Sequence, residues 1–126
     1  MKTFSGFPPG KVHSVTIPEP VFSDLVPLID DLAELKLTLH VLWRLGQQRG
    51  KVRYLRRADL ATDQTLLAGL DGPPDKALDA ALARAVERGT LLQTETLDGE
   101  AGEEIYFANT PKGRAAVEAI ARGEGP

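Results

Sequence analysis

The sequence predicts an α+β chain, mostly helical, with a two-stranded hairpin set among amphipathic helices. Three observations predict it. Apolar residues recur at helical spacing in several separate stretches, most densely between residues 32 and 48. Two segments with strand-like alternation, residues 91–97 and 104–108, flank a short loop rich in Gly and acidic residues. Glycine and proline punctuate these stretches at Gly50, at Asp71, Gly72, Pro73 and Pro74, and at Gly89.

Taken in order, residues 1–13 read as a flexible arm, because Phe4, Phe7, Pro8, Pro9 and Gly10 favour turns and extended backbone. Residues 14–17 are β-branched in alternation and predict a short strand that Pro18 stops. A first helix follows from Glu19 or Pro20 to Asp30, with Phe22, Leu25, Val26 and Ile29 on one stripe and Pro27 kinking or splitting it. A second helix over 32–48 is apolar on most sides and therefore central: Leu32, Leu35, Leu39, Leu42 and Trp43 form one stripe, Leu37, Val41 and Leu45 another. Asp30 and Asp31 end the first helix and cap the second.

Residues 51–56 alternate as a short strand, and residues 59–70 predict a helix with Leu60, Leu66, Leu67 and Leu70 inward. After the turn at 71–74, Asp75 is the expected N-cap of a helix reaching Arg88, with Leu78, Leu82, Ala85 and Val86 inward and Gly89 at its C-cap. The hairpin then spans 91–97 and 104–108 around a loop at 98–102. Thr110 caps a last helix with Pro111 in its first turn, running to about Arg122, and residues 123–126 form a tail or linker. A short strand, two helices joined by a tight turn, and a hairpin define a winged helix-turn-helix over residues 14–122, with an N-terminal arm and an added C-terminal helix.

The 126 residues suit one domain, which buries about two-thirds of its surface at this size and needs no staple. The absence of Cys excludes a disulfide framework, a thiolate metal site and a cysteine nucleophile together. No apolar run approaches the roughly 18 residues of a membrane span, and the start of the chain lacks the layout of a secretion signal, so a cytoplasmic location is expected. The two histidines, His13 and His40, have no neighbour in sequence that would make a catalytic or metal set. The adjacent carboxylates Glu103 and Glu104 lack the separated environments that general acid–base chemistry needs. No glycine-rich phosphate loop follows a strand. The expectation is a non-enzyme without metal or cofactor.

Charge shapes the binding classes. The net charge is −3, divided as nine Lys/Arg against seven Asp/Glu over residues 1–70 and six against eleven over 71–126. A nucleic-acid reader is ordinarily basic. The outward residues of the helix in the recognition position are Lys76, Asp79, Ala80, Ala83, Arg84 and Glu87, and the hairpin carries Glu95, Asp98, Glu100, Glu103 and Glu104. Those surfaces disfavour the usual winged-helix mode of DNA reading. One basic cluster remains, Arg44, Arg49, Lys51, Arg53, Arg56 and Arg57. It reads either as a surface for nucleic acid or a charged partner, or as a solvated rim paired with Asp59, Asp63 and the acidic hairpin. The arm and its neighbouring strand, through Val15, Ile17 and Phe22, form the candidate self-association surface, since a short edge strand invites exchange between copies.

Thr16, Ile17 and Pro18, then Phe22 to Ile29, then the run Glu34, Leu35, Lys36, Leu37, Thr38, Leu39 and His40 are similar to the N-terminal winged-helix domain of DnaD-type primosomal replication proteins. Tyr54 in a strand, and Glu87, Arg88, Gly89, Thr90 and Leu91 at a helix end, extend the resemblance over residues 14–110. The resemblance implies helicase loading and origin remodelling during primosome assembly. It assigns self-association, as a dimer or higher oligomer, and contacts to replication-initiation or helicase proteins to such a domain. DNA binding would lie mainly in a C-terminal domain that this sequence does not contain, so this chain alone is expected to bind DNA weakly or not at all. Thr110, Pro111, Lys112 and Gly113 after Tyr106 and Phe107 also resemble winged-helix transcription regulators. The alternative is therefore a dimeric DNA-binding regulator.

Overall fold

A computed structural model describes residues 1–96 and 102–124. The fold is α+β, with helices on both faces of a small antiparallel sheet. Helix α1, Leu32–Gln47, is the central helix, and the Asp31 carboxylate caps it by accepting the Glu34 N–H at 3.0 Å. Its buried positions, Glu34, Leu37, Thr38, Val41 and Leu45, follow the 3–4 spacing of one helix face. That face packs on α4, Pro74–Arg88, whose buried residues are Leu78, Ala81, Leu82 and Ala85. Helix α4 closes at Gly89, whose φ of +94° is the left-handed conformation that a side chain disfavours.

Between them the chain forms strand β1, Leu55–Arg56, and two single-turn helices, α2, Arg57–Ala61, and α3, Gln64–Ala68. Strand β2, Leu91–Glu95, and strand β3, Glu104–Ala108, complete a sheet of order β1-β3-β2. The register sets Leu91 opposite Ala108 and Leu55 opposite Tyr106. As the middle strand, β3 buries Ile105, Tyr106 and Phe107 in succession, because both its faces are covered. Tyr106 joins Leu55, Leu91 and the α1 and α4 leucines. Burial, reinforced by the nearby Glu104 charge, pushes the Tyr106 phenol up to about 12, so it stays neutral in that core. Ile105 and Phe107 point the other way and pack with Ile120 of α5, Pro111–Ala121. Helix α5 starts where expected, with Thr110 accepting the Gly113 N–H at 3.0 Å and Pro111 in the first turn.

Five local expectations are corrected. Residues 14–17 form no strand; Val15 and Ile17 are half-buried against their own chain, and a β-carbon on Gly46 would stand 3.3 Å from Val15 Cβ. Docking on α1 at Gly46 covers Val15 without a strand partner. The helix expected over 19–30 is a π-helical turn, Val21–Leu25, followed by a 3₁₀ turn, Val26–Leu28. Pro27 offers no N–H to an α-helical ladder, which is why the segment splits. Strand 51–56 shortens to two residues because the Gln48 side chain takes both backbone groups of Tyr54, its Nε2 donating to Tyr54 O at 2.7 Å and its Oε1 accepting the Tyr54 N–H at 3.1 Å. The helix expected over 59–70 breaks because Asp63 turns its carboxylate to the Leu66 N–H at 3.2 Å, capping a new helix. Helix α4 begins at Pro74 without a side-chain cap, so Asp75 lies in its first turn, where its charge suits the helix dipole. The hairpin loop at 98–101, with Leu97, lies outside the described residues, as do Gly125 and Pro126 of the tail.

Candidate functional site

The fold divides the basic cluster. Arg44 reaches Asp63, which also accepts the His40 Nε2 hydrogen bond at 2.7 Å. Burial works to raise the Asp63 pKa, but the bonds from His40, the Leu66 N–H and Arg44 outweigh it and hold the carboxyl below its ordinary value. Arg56 pairs with Glu103 at 3.6 Å. Arg57 donates to Asp79 from Nε at 3.0 Å and lies 3.9 Å from Glu104, and the Asp79 bond raises the Arg57 pKa further. These three arginines therefore behave as the paired rim. Asp59, the other expected acidic partner, makes no ion pair among the described residues.

Arg49, Lys51 and Arg53 are different. They are exposed on the loop between α1 and β1, and none has an ion pair or side-chain hydrogen bond among the described residues. The Gln48 clamp on Tyr54 holds both ends of that loop together. Lys51 and Arg53 line a cleft of about 380 Å³, together with Lys112 in the first turn of α5. Its apolar lining includes Leu45 and Phe107.

The exposed large apolar side chains have a one-sided distribution. Phe4, Phe7, Phe22, Leu28, Leu32, Trp43 and Val52 all precede β1, and none of the described residues after it contributes one. Of the three self-association candidates, Phe22 is 56 % exposed, while Val15 and Ile17 are half-buried. Beside Phe22, an apolar groove of about 440 Å³ runs between Val21, Leu25 and Leu28 on one part of the chain and Leu42 and Ala108 on another. Phe4 and Phe7 meet edge-on, ring centres 5.1 Å apart, at the exposed end of the arm.

The outer face of α4 is as expected exposed at Lys76, Asp79, Ala80, Ala83, Arg84 and Glu87. Two of its charges are already engaged within the molecule, Asp79 by Arg57 and Arg84 by Asp31 at 3.8 Å. In the hairpin, Glu104 accepts Gln93 Nε2 at 2.6 Å as well as facing Arg57, while Asp98 and Glu100 lie outside the described residues.

One ionic group escaped sequence reasoning. Arg88 binds the wholly buried Glu34 through two nitrogens, Nε to Oε2 at 2.5 Å and Nη2 to Oε1 at 3.0 Å. It also reaches Asp30 at 3.1 Å and donates Nη1 to the Leu28 carbonyl at 2.8 Å. The available signal was the position of Glu34, which falls on the stripe of Leu37, Val41 and Leu45 that faces the core. His13 is exposed, and His40 is spent on Asp63 beside the edge of Trp43. Among the described residues, no group of three metal-ligating side chains converges, and no helix is long and apolar enough to cross a membrane.

Comparison with protein-family models, with curated proteins and with solved structures finds no match to this chain.

Proposed function

We propose that this chain is a winged-helix interaction module of a cytoplasmic replication-initiation system, of the primosome or helicase-loading kind, acting through self-association and protein contacts and not through catalysis. The observation that carries the protein-contact reading is the confinement of the exposed large apolar residues to the part of the chain before β1. Phe22, Leu28 and the adjoining groove offer apolar area that a partner would remove from water. The order of helices, short strand and hairpin supports the winged-helix reading. The segments that resemble DnaD-type domains supply the replication context, and two of them meet through Glu34 and Arg88. The alternative, a dimeric DNA-binding regulator, would read bases with the outer face of α4. That face presents alanines, and its Asp79 and Arg84 are already paired.

Sedimentation velocity over a concentration series tests the reading. The intact chain is expected to form a dimer or higher species, and both Phe22→Glu and removal of residues 1–17 are expected to shift it to monomer. A chain that stays monomeric at the highest concentration, or an oligomer indifferent to both changes, would sink the self-association reading.

A further inference from the structure

A chain with net charge −3 and 18 carboxylates has ample acid to neutralise its cations, and it does so for Arg44, Arg56 and Arg57. At the cleft between the α1–β1 loop and α5 it does not. Lys51, Arg53 and Lys112 line that cleft and no Asp or Glu does. Neither an ion pair nor a hydrogen bond engages these three side chains among the described residues. The loop carrying two of them is tied at its base by Gln48, so the cations are presented on a restrained backbone. Like charges gathered at one concavity repel unless an anion joins them, and low-dielectric walls such as Leu45 and Phe107 strengthen the attraction for that anion.

We propose that this cleft binds phosphate groups of single-stranded nucleic acid. Three cations suit the repeated, closely spaced charges of a sugar–phosphate chain better than the single charge of one peptide carboxylate, and about 380 Å³ admits a group of nucleotide size. Val52, 44 % exposed between Lys51 and Arg53, gives the sugar and base an apolar contact at the rim. A single strand can bend its backbone into such a cleft, whereas duplex reading would fall to α4. The shared chemistry is the phosphate, which a free nucleotide or pyrophosphate also supplies.

The test is fluorescence anisotropy of the intact chain with a labelled oligothymidylate of about twelve nucleotides, at about 50 and about 200 mM salt. Arg53→Gln/Lys112→Gln is expected to weaken binding by about tenfold or more and to reduce the salt slope by about 1.4, the loss of two phosphate contacts on a single strand. Lys76→Gln/Arg84→Gln, on the outer face of α4, is expected to leave both unchanged. Absence of binding at the lower salt, or loss of binding in the α4 variant with the cleft variant unaffected, would overturn the proposal. Pyrophosphate displacing the strand at equal concentration would reassign the cleft to small phosphate ligands, and preference for an acidic peptide would overturn phosphate recognition altogether. None of these outcomes depends on the oligomeric state, so the proposal stands or falls apart from the self-association reading.

Discussion

Glu34 and Arg88, 54 residues apart in sequence, form a two-point ion pair that joins the first turn of α1 to the last turn of α4. The carboxylate is wholly buried, and the guanidinium remains partly open to solvent. The bond to Glu34 raises the Arg88 pKa, so the guanidinium keeps its charge. The same arginine fixes the Leu28 carbonyl and Asp30, which ties the segment before α1 to the body of the fold.

The two partners are not equivalent. Replacing Arg88 by Leu leaves the Glu34 carboxylate buried without compensation. A buried charge stranded in this way costs about 3–5 kcal/mol. The double replacement Glu34→Leu/Arg88→Leu removes the stranded charge and is expected to recover most of that loss. Urea denaturation of the two variants checks the order, and a double variant less stable than Arg88→Leu alone would contradict it.

Gly113, in the first turn of α5, sits against the backbone at the end of β3. A β-carbon there would lie 2.1 Å from the Ala108 carbonyl oxygen, a backbone atom that cannot swing aside. Gly113→Ala is therefore expected to destabilise by about 3 kcal/mol, against the few tenths usual for an exposed helix position. The loss should appear first as loosening of α5 from Ile105 and Phe107, read as faster amide exchange across residues 112–121. A stability unchanged from the parent chain would show that α5 seats differently.

Asp63 sets an acid-side limit on stability. Its folded-state pKa lies below the ordinary 3.8, so its contribution is present above that value and is lost as pH falls through the folded value. Asp63→Asn keeps an oxygen for the Leu66 N–H but gives up the charge that Arg44 and His40 address. The urea midpoint of the parent chain is expected to fall more steeply than that of Asp63→Asn as the pH drops below the ordinary carboxylate value of 3.8. Parallel curves would mean that the His40, Asp63 and Arg44 group adds nothing to folding.

The helices that position the candidate surfaces were legible because their signals are local. The stripe through Leu37, Val41 and Leu45 identifies α1, Gly89 ends α4, and Thr110 with Pro111 starts α5. Gln48 and Asp63 were not legible as structure-makers. Each has an ordinary helical context in sequence, and each spends its side chain on backbone N–H groups that a regular strand or helix would have used, shortening β1 and separating α2 from α3. For the same reason the apolar alternation at Val15 and Ile17 suggested a strand. Alternation reports which side chains avoid water and is silent on whether the backbone finds a partner.

By itself, then, the sequence determined the class of fold, the order of most elements and the lack of any thiol chemistry, since these follow from periodicity, punctuation and composition along neighbouring residues. Only the tertiary structure decided which of six clustered cations are neutralised. Arg44, Arg56 and Arg57 find carboxylates brought to them from Asp63, Glu103 and Asp79, while Lys51 and Arg53 meet Lys112 at a cleft without acid. The reason is range. Ion pairing acts over a few ångströms between the tips of long side chains, and which tips come that close is set by how the helices pack on the sheet, not by their spacing along the chain.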